Sequence, residues 1–306
     1  MSVFLESSKY GKDNVRVLKV KRDPQNPAKQ EVIELTVRVL LEGEIEESYT
    51  KADNASIVPT DTVKNTTFIL AKQHDVWPIE RFGATLANHF VTKYAHIHAA
   101  EAHIIQHRWT KYNVRGTPHL HSFIQDGAEV RTATVYKKEG EAFKITSGIK
   151  DLTVLKSTGS KFYGYNVCDF TTLKETHDRI LSTDVDAQWT WIPSKVSTYE
   201  AVNELGEKGE FDSAYEKARN ITLETFALEN SASVQATMYN ISESILKEAP
   251  LLDTVTYLLP NKHYVELDLS WHHGLKNTGK DAEVYVPLNH PNGLIKSVVK
   301  RTPSKL

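Results

Sequence analysis

Phe162 and Arg179 lie on one short run, L-T-V-L-K-S-T-G-S-K-F-Y-G-Y-N-V-C-D-F-T-T-L-K-E-T-H-D-R, from Leu152 to Arg179. An aromatic face and a planar guanidinium fork together suit a flat anionic heterocycle, the ring taking its plane and the fork one edge. Gln235 follows Val234 in N-S-A-S-V-Q-A-T-M, where a helical pattern opens. Its amide offers one acceptor and two donors, enough to pair with a ring N–H and an adjacent carbonyl on the opposite edge. Taken alone, a glutamine in a helix's first turn is exposed and idle.

Three further segments hold groups that move protons or bind small molecules. Lys12 sits in Y-G-K-D-N just before a strand, where a lysine is ordinarily a solvated charge. Thr60 and Asp61 follow Pro59, which pushes Val58 into an extended conformation and puts one of them at a helix N-terminus. The simple reading there is capping by Thr60 or Asp61, but a helix N-terminus also presents free N–H groups and positive dipole to an anion. Asn261 and His263 stand in L-P-N-K-H-Y, read as a connection between a strand ending near Leu259 and another starting at Tyr264. A connection at a strand end displays functional side chains; alone, Asn261 reads as turn chemistry and His263 as an even choice between surface residue and proton carrier.

The elements that must position these groups come from hydrophobic periodicity. Ile33, Leu35, Val37 and Val39 alternate with polar residues as a half-buried strand, preceded by one over about Asn14 to Lys21. Helical spacing appears from Thr62 to Lys72 and at Ile79, Phe82, Leu86 and Phe90, and strands return around Ala99 to Tyr112 and Glu129 to Lys137. The second half repeats the order. Strands near Leu152 to Thr158 and Gln188 to Ile192 precede helices carrying Phe211, Tyr215, Ala218, Thr222 and Phe226, then Val234, Met238, Ile241 and Ile245, before Val265, Leu267 and Leu269 alternate again. Each half is therefore two strands, two helices and two strands, with a boundary near residues 139 to 149, giving modules over 1–140 and 141–306. A four-stranded antiparallel sheet with helices on one face leaves its other face and two edges unsatisfied, so association is expected.

Composition excludes several classes. Lys+Arg 37 against Asp+Glu 39 advertises no nucleic-acid surface, and apolar runs fall short of the ~20 residues a bilayer requires. The N-terminal residues lack a basic start followed by a long apolar stretch, so no secretory signal is expected and the sequons at Asn54, Asn65, Asn220 and Asn240 should stay unused. Cys168, the only cysteine, fits a reducing compartment. The 13 histidines include His96/His98, His119/His121 and His272/His273, but no Cys or carboxylate completes a metal-ligand spacing, and no G-x-G-x-x-G follows a strand; neither a metal nor a dinucleotide is expected. The last three residues, Ser304, Lys305 and Leu306, form the receptor-read peroxisomal address.

The run from Leu152 to Arg179 resembles the urate oxidase (uricase) signature, with Leu152, Val154, Leu155, Lys156, Ser157, Thr158, Ser160, Phe162, Tyr165, Phe170, Leu173 and Arg179 at the required separations. The Lys12, Thr60, Gln235 and Asn261 segments resemble the same family, chiefly its fungal members. The resemblance implies an α+β fold of two tandem tunnelling-fold (T-fold) modules, each antiparallel ββααββ, a β-barrel with outer helices closed by two subunits, and a homotetramer with its sites at subunit interfaces. It further implies oxidation of urate by O2 and water to 5-hydroxyisourate and hydrogen peroxide without cofactor or metal. In that scheme Phe162 stacks under the ring, Arg179, Gln235 and Val234 hold it, and Lys12, Thr60 and His263 relay protons. Asp61 orders the turn beside Thr60, and Asn261 holds O2 and then the attacking water. A catalytically silent urate binder or structural peroxisomal protein of the same fold would need only Phe162, Arg179 and Gln235, so intact Lys12, Thr60 and His263 argue against it.

Overall fold

The computed structural model describes residues 3–288 and 290–302; the tripeptide Ser304 to Leu306 lies outside them. The first half runs β1 (Tyr10–Arg22), β2 (Gln30–Gly43), α1 (Glu46–Thr50), α2 (Thr60–Gln73), α3 (Ile79–Lys93), β3 (Ile97–His107), a side hairpin of β4 (Thr110–Val114) and β5 (Thr117–Ile124), and β6 (Val130–Lys138). The second half runs β7 (Lys144–Lys156), β8 (Leu181–Trp191), α4 (Tyr199–Glu207), α5 (Glu210–Leu228), α6 (Val234–Glu248), β9 (Leu252–Glu266), β10 (Tyr285–Leu288) and β11 (Leu294–Lys300).

Strands β1, β2, β3, β6, β7, β8 and β9 lie side by side in that order, all antiparallel, and β9 pairs beyond with β10 and β11 along different stretches. The sheet does not close within the chain: β1 stands at one edge, β10 and β11 at the other. Both halves follow the expected two-strand, two-helix, two-strand plan, with α1 and α4 added. The internal repeat extends to a detail of register. In β1 the pairing with β2 slips by one residue after Lys12, and in β7 the pairing with β8 slips after Ile149. Each bulge carries a left-handed residue, Asn14 (φ 57) and Asp151 (φ 60), residue types that tolerate this conformation.

Helices cover one face. The alternate residues Ile33, Leu35, Val37, Val39 and Leu41 of β2 pack with Phe82, Leu86 and Phe90 of α3 in a first-half core, and Val185, Ala187, Trp189, Val255 and Tyr257 pack with Met238, Ile241 and Ile245 in the second. The opposite face is polar and internally paired: Thr36 with His107 at 2.8 Å, Arg38 with Glu101 at 3.3 Å, His103 with Thr134 at 2.8 Å, Thr190 with Thr254 at 2.6 Å. Water suits that face, so the demand for association comes from the open edges and not from an uncovered apolar sheet.

The two halves are joined by buried charge. Arg131 of β6 donates to Glu80 of α3 at 2.8 Å and to Asp212 of α5 at 2.5 Å, with its guanidinium 4.8 Å from the Tyr215 ring. Burial works to raise the pKa of neighbouring Glu129, but Arg219, Tyr215 and Arg108 outweigh it and hold the carboxyl below its ordinary range. Removing one partner from such a network leaves an uncompensated buried charge, typically at about 3–5 kcal/mol.

Several expectations are corrected. The third strand stops at His107, and the segment beyond it folds out as the β4–β5 hairpin about Arg115 (φ 53) and Gly116 (φ 83), a pair of left-handed residues that turns the chain back. β7 begins at Lys144, well before Leu152, because its first residues pair with β6. Most consequentially, β9 is one unbroken strand, so Asn261 and His263 lie within it and not in a connection. The strand runs through Pro260: the pairing with β8 skips from Leu258 to Asn261 in the same register, and the Thr183 hydroxyl donates to the Pro260 carbonyl at 3.0 Å. Leu267 and Leu269 lie past the end of β9.

Candidate active site

The Leu152–Arg179 signature spans the end of β7 and an irregular excursion that returns to β8. Asp178 holds its neck, accepting from the Thr158 hydroxyl at 2.9 and 2.8 Å and from the Gly159 N–H at 2.9 Å. Phe162 and Thr176 exchange two backbone bonds of 2.9 and 3.0 Å, which closes the excursion and brings Arg179 back beneath the ring. The guanidinium carbon lies 5.2 Å from the Phe162 centroid, while Tyr165 stacks on the same phenyl at 5.0 Å and 18°. Arg179 is half-buried and, among the described residues, no carboxylate pairs with it. Burial alone pushes its pKa below the ordinary guanidinium value, and the group stays a cation that needs an anion.

Arg179, Asn261 and His263 line one cleft of about 590 Å³, together with Asp178, Lys262 and Tyr285. Pairing of β8 with β9 makes this meeting obligatory, since Thr183 stands opposite Asn261. The Asn261 backbone is pinned, its N–H donating to Gly293 and its carbonyl accepting from Asn292, both at 2.8 Å. Its side-chain oxygen is buried with no partner, a cost of about 1–3 kcal/mol that a functional site accounts for better than a core does. Val234 and Asn261 also flank a small apolar void of about 20 Å³ between α6 and the sheet.

Helix α6 presents Val234 and Gln235 in its first turn. Ser233 caps it by accepting from Ala236 N at 3.2 Å, and Ser231 before it is bonded to the signature segment at both Gly159 and Lys161. Gln235 is exposed, as its position in a first turn implies. Arg179 thus links the Phe162 ring to the cleft that Asn261 and His263 line, Val234 meets Asn261 across the small void, and Gln235 follows Val234 on the exposed side of α6. Asp178 and Ser231, which hold the signature segment, were not singled out by sequence reasoning; the polar run N-S-A-S before α6 was the available signal for the second.

Lys12, Thr60 and Asp61 lie elsewhere, together. Lys12 sits immediately before the β1 bulge, and Gly11 beside it approaches β2 so closely that a Cβ there would lie 1.9 Å from the Val39 oxygen. The Tyr10 hydroxyl accepts from Val58 N at 2.7 Å, tying this strand to the turn that starts α2. Thr60 and Asp61 are the first two residues of α2, whose N-cap is Pro59, so Asp61 is not the cap. Proline leaves the first-turn N–H groups without a side-chain acceptor, and the Asp61 carboxylate turns instead to Lys64 and, at 3.0 Å, Asn65. Lys64, with Asn65 and more distant Lys12, holds that carboxyl below its ordinary range.

β1, which carries Lys12, and β9, which carries Asn261 and His263, stand six strand intervals apart in one chain. At roughly 4.8 Å per interval this is about 29 Å along the sheet, beyond the reach of any side chain. Among the described residues no three His, Cys, Asp or Glu side chains converge as a metal site. His98 spans Glu139 at 3.2 Å and Glu44 at 3.1 Å from opposite sides of its ring, and the His119–His121 and His272–His273 pairs sit edge to face at 4.6 and 4.8 Å.

The sequence matches the uricase family model over residues 8–136 and 145–296. It is 58% identical over 307 residues to the uricase of Cyberlindnera jadinii, covering 100% of both chains, and 54% identical over 302 residues to that of Aspergillus flavus, covering 98% of each. The crystal structure of the Arthrobacter globiformis uricase superposes with a TM-score of 0.87 at 34% identity, covering 100% of this chain and 98% of that one. Since the likeness runs the length of the chain and takes in both groups of candidate residues and the sheet that separates them, this protein belongs to the uricase family.

Proposed function

We propose that the chain is a urate oxidase whose complete site forms between two subunits, Phe162, Arg179, Val234, Gln235, Asn261 and His263 coming from one and Lys12, Thr60 and Asp61 from the other. The observation that carries this reading is Arg179: a half-buried cation with no carboxylate partner among the described residues, lying against an aromatic ring, in the cleft that Asn261, with its unpaired side-chain oxygen, also lines. A flat purine anion answers the cation and the ring face, and a water held above that anion donates to the Asn261 oxygen. Phe162 takes the plane of the ring, Arg179 and Gln235 its two edges, and Val234 contributes through its backbone.

The reaction is urate + O2 + H2O to 5-hydroxyisourate + H2O2. Urate gives up two electrons, O2 takes them and leaves as peroxide, and water supplies the hydroxyl added to the ring. The substrate is electron-rich enough to be the reductant itself, so the protein contributes positioning, proton removal and electrostatics, without a cofactor or metal. Thr60, Lys12 and His263 form the proton relay, with the uncapped first turn of α2 adding positive dipole next to an anion. Asn261 holds O2 above the ring and then the attacking water. A silent binder is disfavoured because the relay residues are intact.

Support for a homotetramer comes from the open sheet edges and from large exposed apolar side chains, among them Phe170, Trp271 and Val167. Ser304, Lys305 and Leu306 are the peroxisomal address read by the import receptor, and peroxide as product gives that destination a rationale.

Urate titration of Arg179→Ala without oxygen tests the reading. Two charge-assisted hydrogen bonds at about 1.5–3 kcal/mol each predict an affinity loss of at least about a hundredfold. Affinity within about threefold of the parent would mean that the ring is held elsewhere.

A further inference from the structure

The signature segment carries more than the substrate contacts require. Lys156, at the end of β7, donates from Nζ to the Glu229 carbonyl at 2.6 Å and lies 5.4 Å from the Phe226 ring. Glu229 is the residue that ends α5, so the ammonium meets one of that helix's free terminal carbonyls at the negative end of its dipole. Just beyond this contact the two segments run parallel, Ser231 N donating to Gly159 O at 3.0 Å and Lys161 N to Ser231 O at 2.8 Å. One strand of this seam leads directly into Phe162 and the other into Val234 and Gln235. Two backbone bonds make a short seam, and Lys156 is the side chain that closes its open end.

We infer that Lys156 is a positioning residue for urate: by pinning the end of α5 to the signature strand, it fixes the spacing between the Phe162 ring and the Gln235 amide. The inference rests on the assignment of those two residues as urate contacts. Burial pushes the Lys156 pKa down, as expected for an ammonium whose stem is packed on an aromatic ring, yet the neighbouring carbonyl and Glu229 carboxylate favour the charged form. Loss of the pin would loosen the gap that a rigid planar ligand must fill, and so weaken binding more than chemistry.

The test compares Lys156→Met, Lys156→Arg and Gln235→Ala by steady-state kinetics and by urate titration under nitrogen. Lys156→Met should raise KM and the anaerobic Kd by about tenfold, with kcat at saturating urate within about threefold of the parent. Lys156→Arg, which keeps charge and donor, should recover most of that loss. If Lys156→Met does not fold, Lys156→Gln serves, with KM raised severalfold. A folded Lys156 variant with parental KM and Kd, beside an impaired Gln235→Ala, overturns the positioning role and leaves the urate site standing. Parental values in both overturn the site assignment itself.

Discussion

Two inactive variants should restore each other. Lys12 lies on β1 and Arg179 just before β8, five strand intervals or about 24 Å along the sheet, so no side chain spans the gap within one chain. If the site is shared across a two-fold dimer, as proposed, each site takes Lys12 from one subunit and Arg179 from the partner. Lys12→Met removes the relay base and Arg179→Ala the anion clamp, so each variant alone leaves every site broken. A mixed dimer holds one site in which both residues are intact and one in which both are replaced. Random one-to-one assembly makes half the dimers mixed, so the population should regain about one quarter of parental activity. Co-expression with two different affinity tags isolates the mixed dimers, which should reach about half, and loss of urate absorbance provides the assay. Activity no higher than that of the single variants would refute the shared site, since a site complete within one chain cannot be complemented.

Two other outcomes test separate parts of the account. His98 is held above its ordinary histidine range by Glu44 first and Glu139 second. A raised folded pKa contributes stability below the unfolded value of about 6.5 and loses it as pH rises through the folded value. His98→Gln should therefore lower Tm more at about pH 5.5 than at about pH 8.5, and a gap independent of pH would contradict the pairing. Deleting Ser304 to Leu306 should move the protein to the cytosol with urate oxidation intact, as fluorescence microscopy and activity in the soluble fraction would report; continued import would assign the address to another segment.

Most of the core was legible locally. Ile33 to Val39 alternate because one sheet face is buried, and Ile79, Phe82, Leu86 and Phe90 share a stripe because one helix face is, and all of these are buried. Errors arose where local chemistry and tertiary pairing disagree. The L-P-N-K-H-Y segment reads as a connection, yet flanking strands on both sides carry β9 through it. Asp61 after Pro59 reads as a cap, yet the proline itself occupies that position and frees the carboxylate for Lys64 and Asn65. The candidate site residues were picked out through the resemblance of short segments to a family, because alone Lys12 and Gln235 look like surface side chains and His263 is an even choice between surface residue and proton carrier. What no local pattern could give was their separation: that Lys12 on β1 and Arg179 at the start of β8 are five strand intervals apart follows only from the order of strands in the sheet.

The central claim is that urate is oxidised by oxygen with the substrate as sole reductant. Urate absorbance followed in aerated buffer after exhaustive treatment with a strong chelator, alongside peroxide detection, tests it most directly. The account predicts undiminished urate loss with one peroxide formed per urate consumed. Loss that stops with the chelator and returns on adding a metal would contradict it.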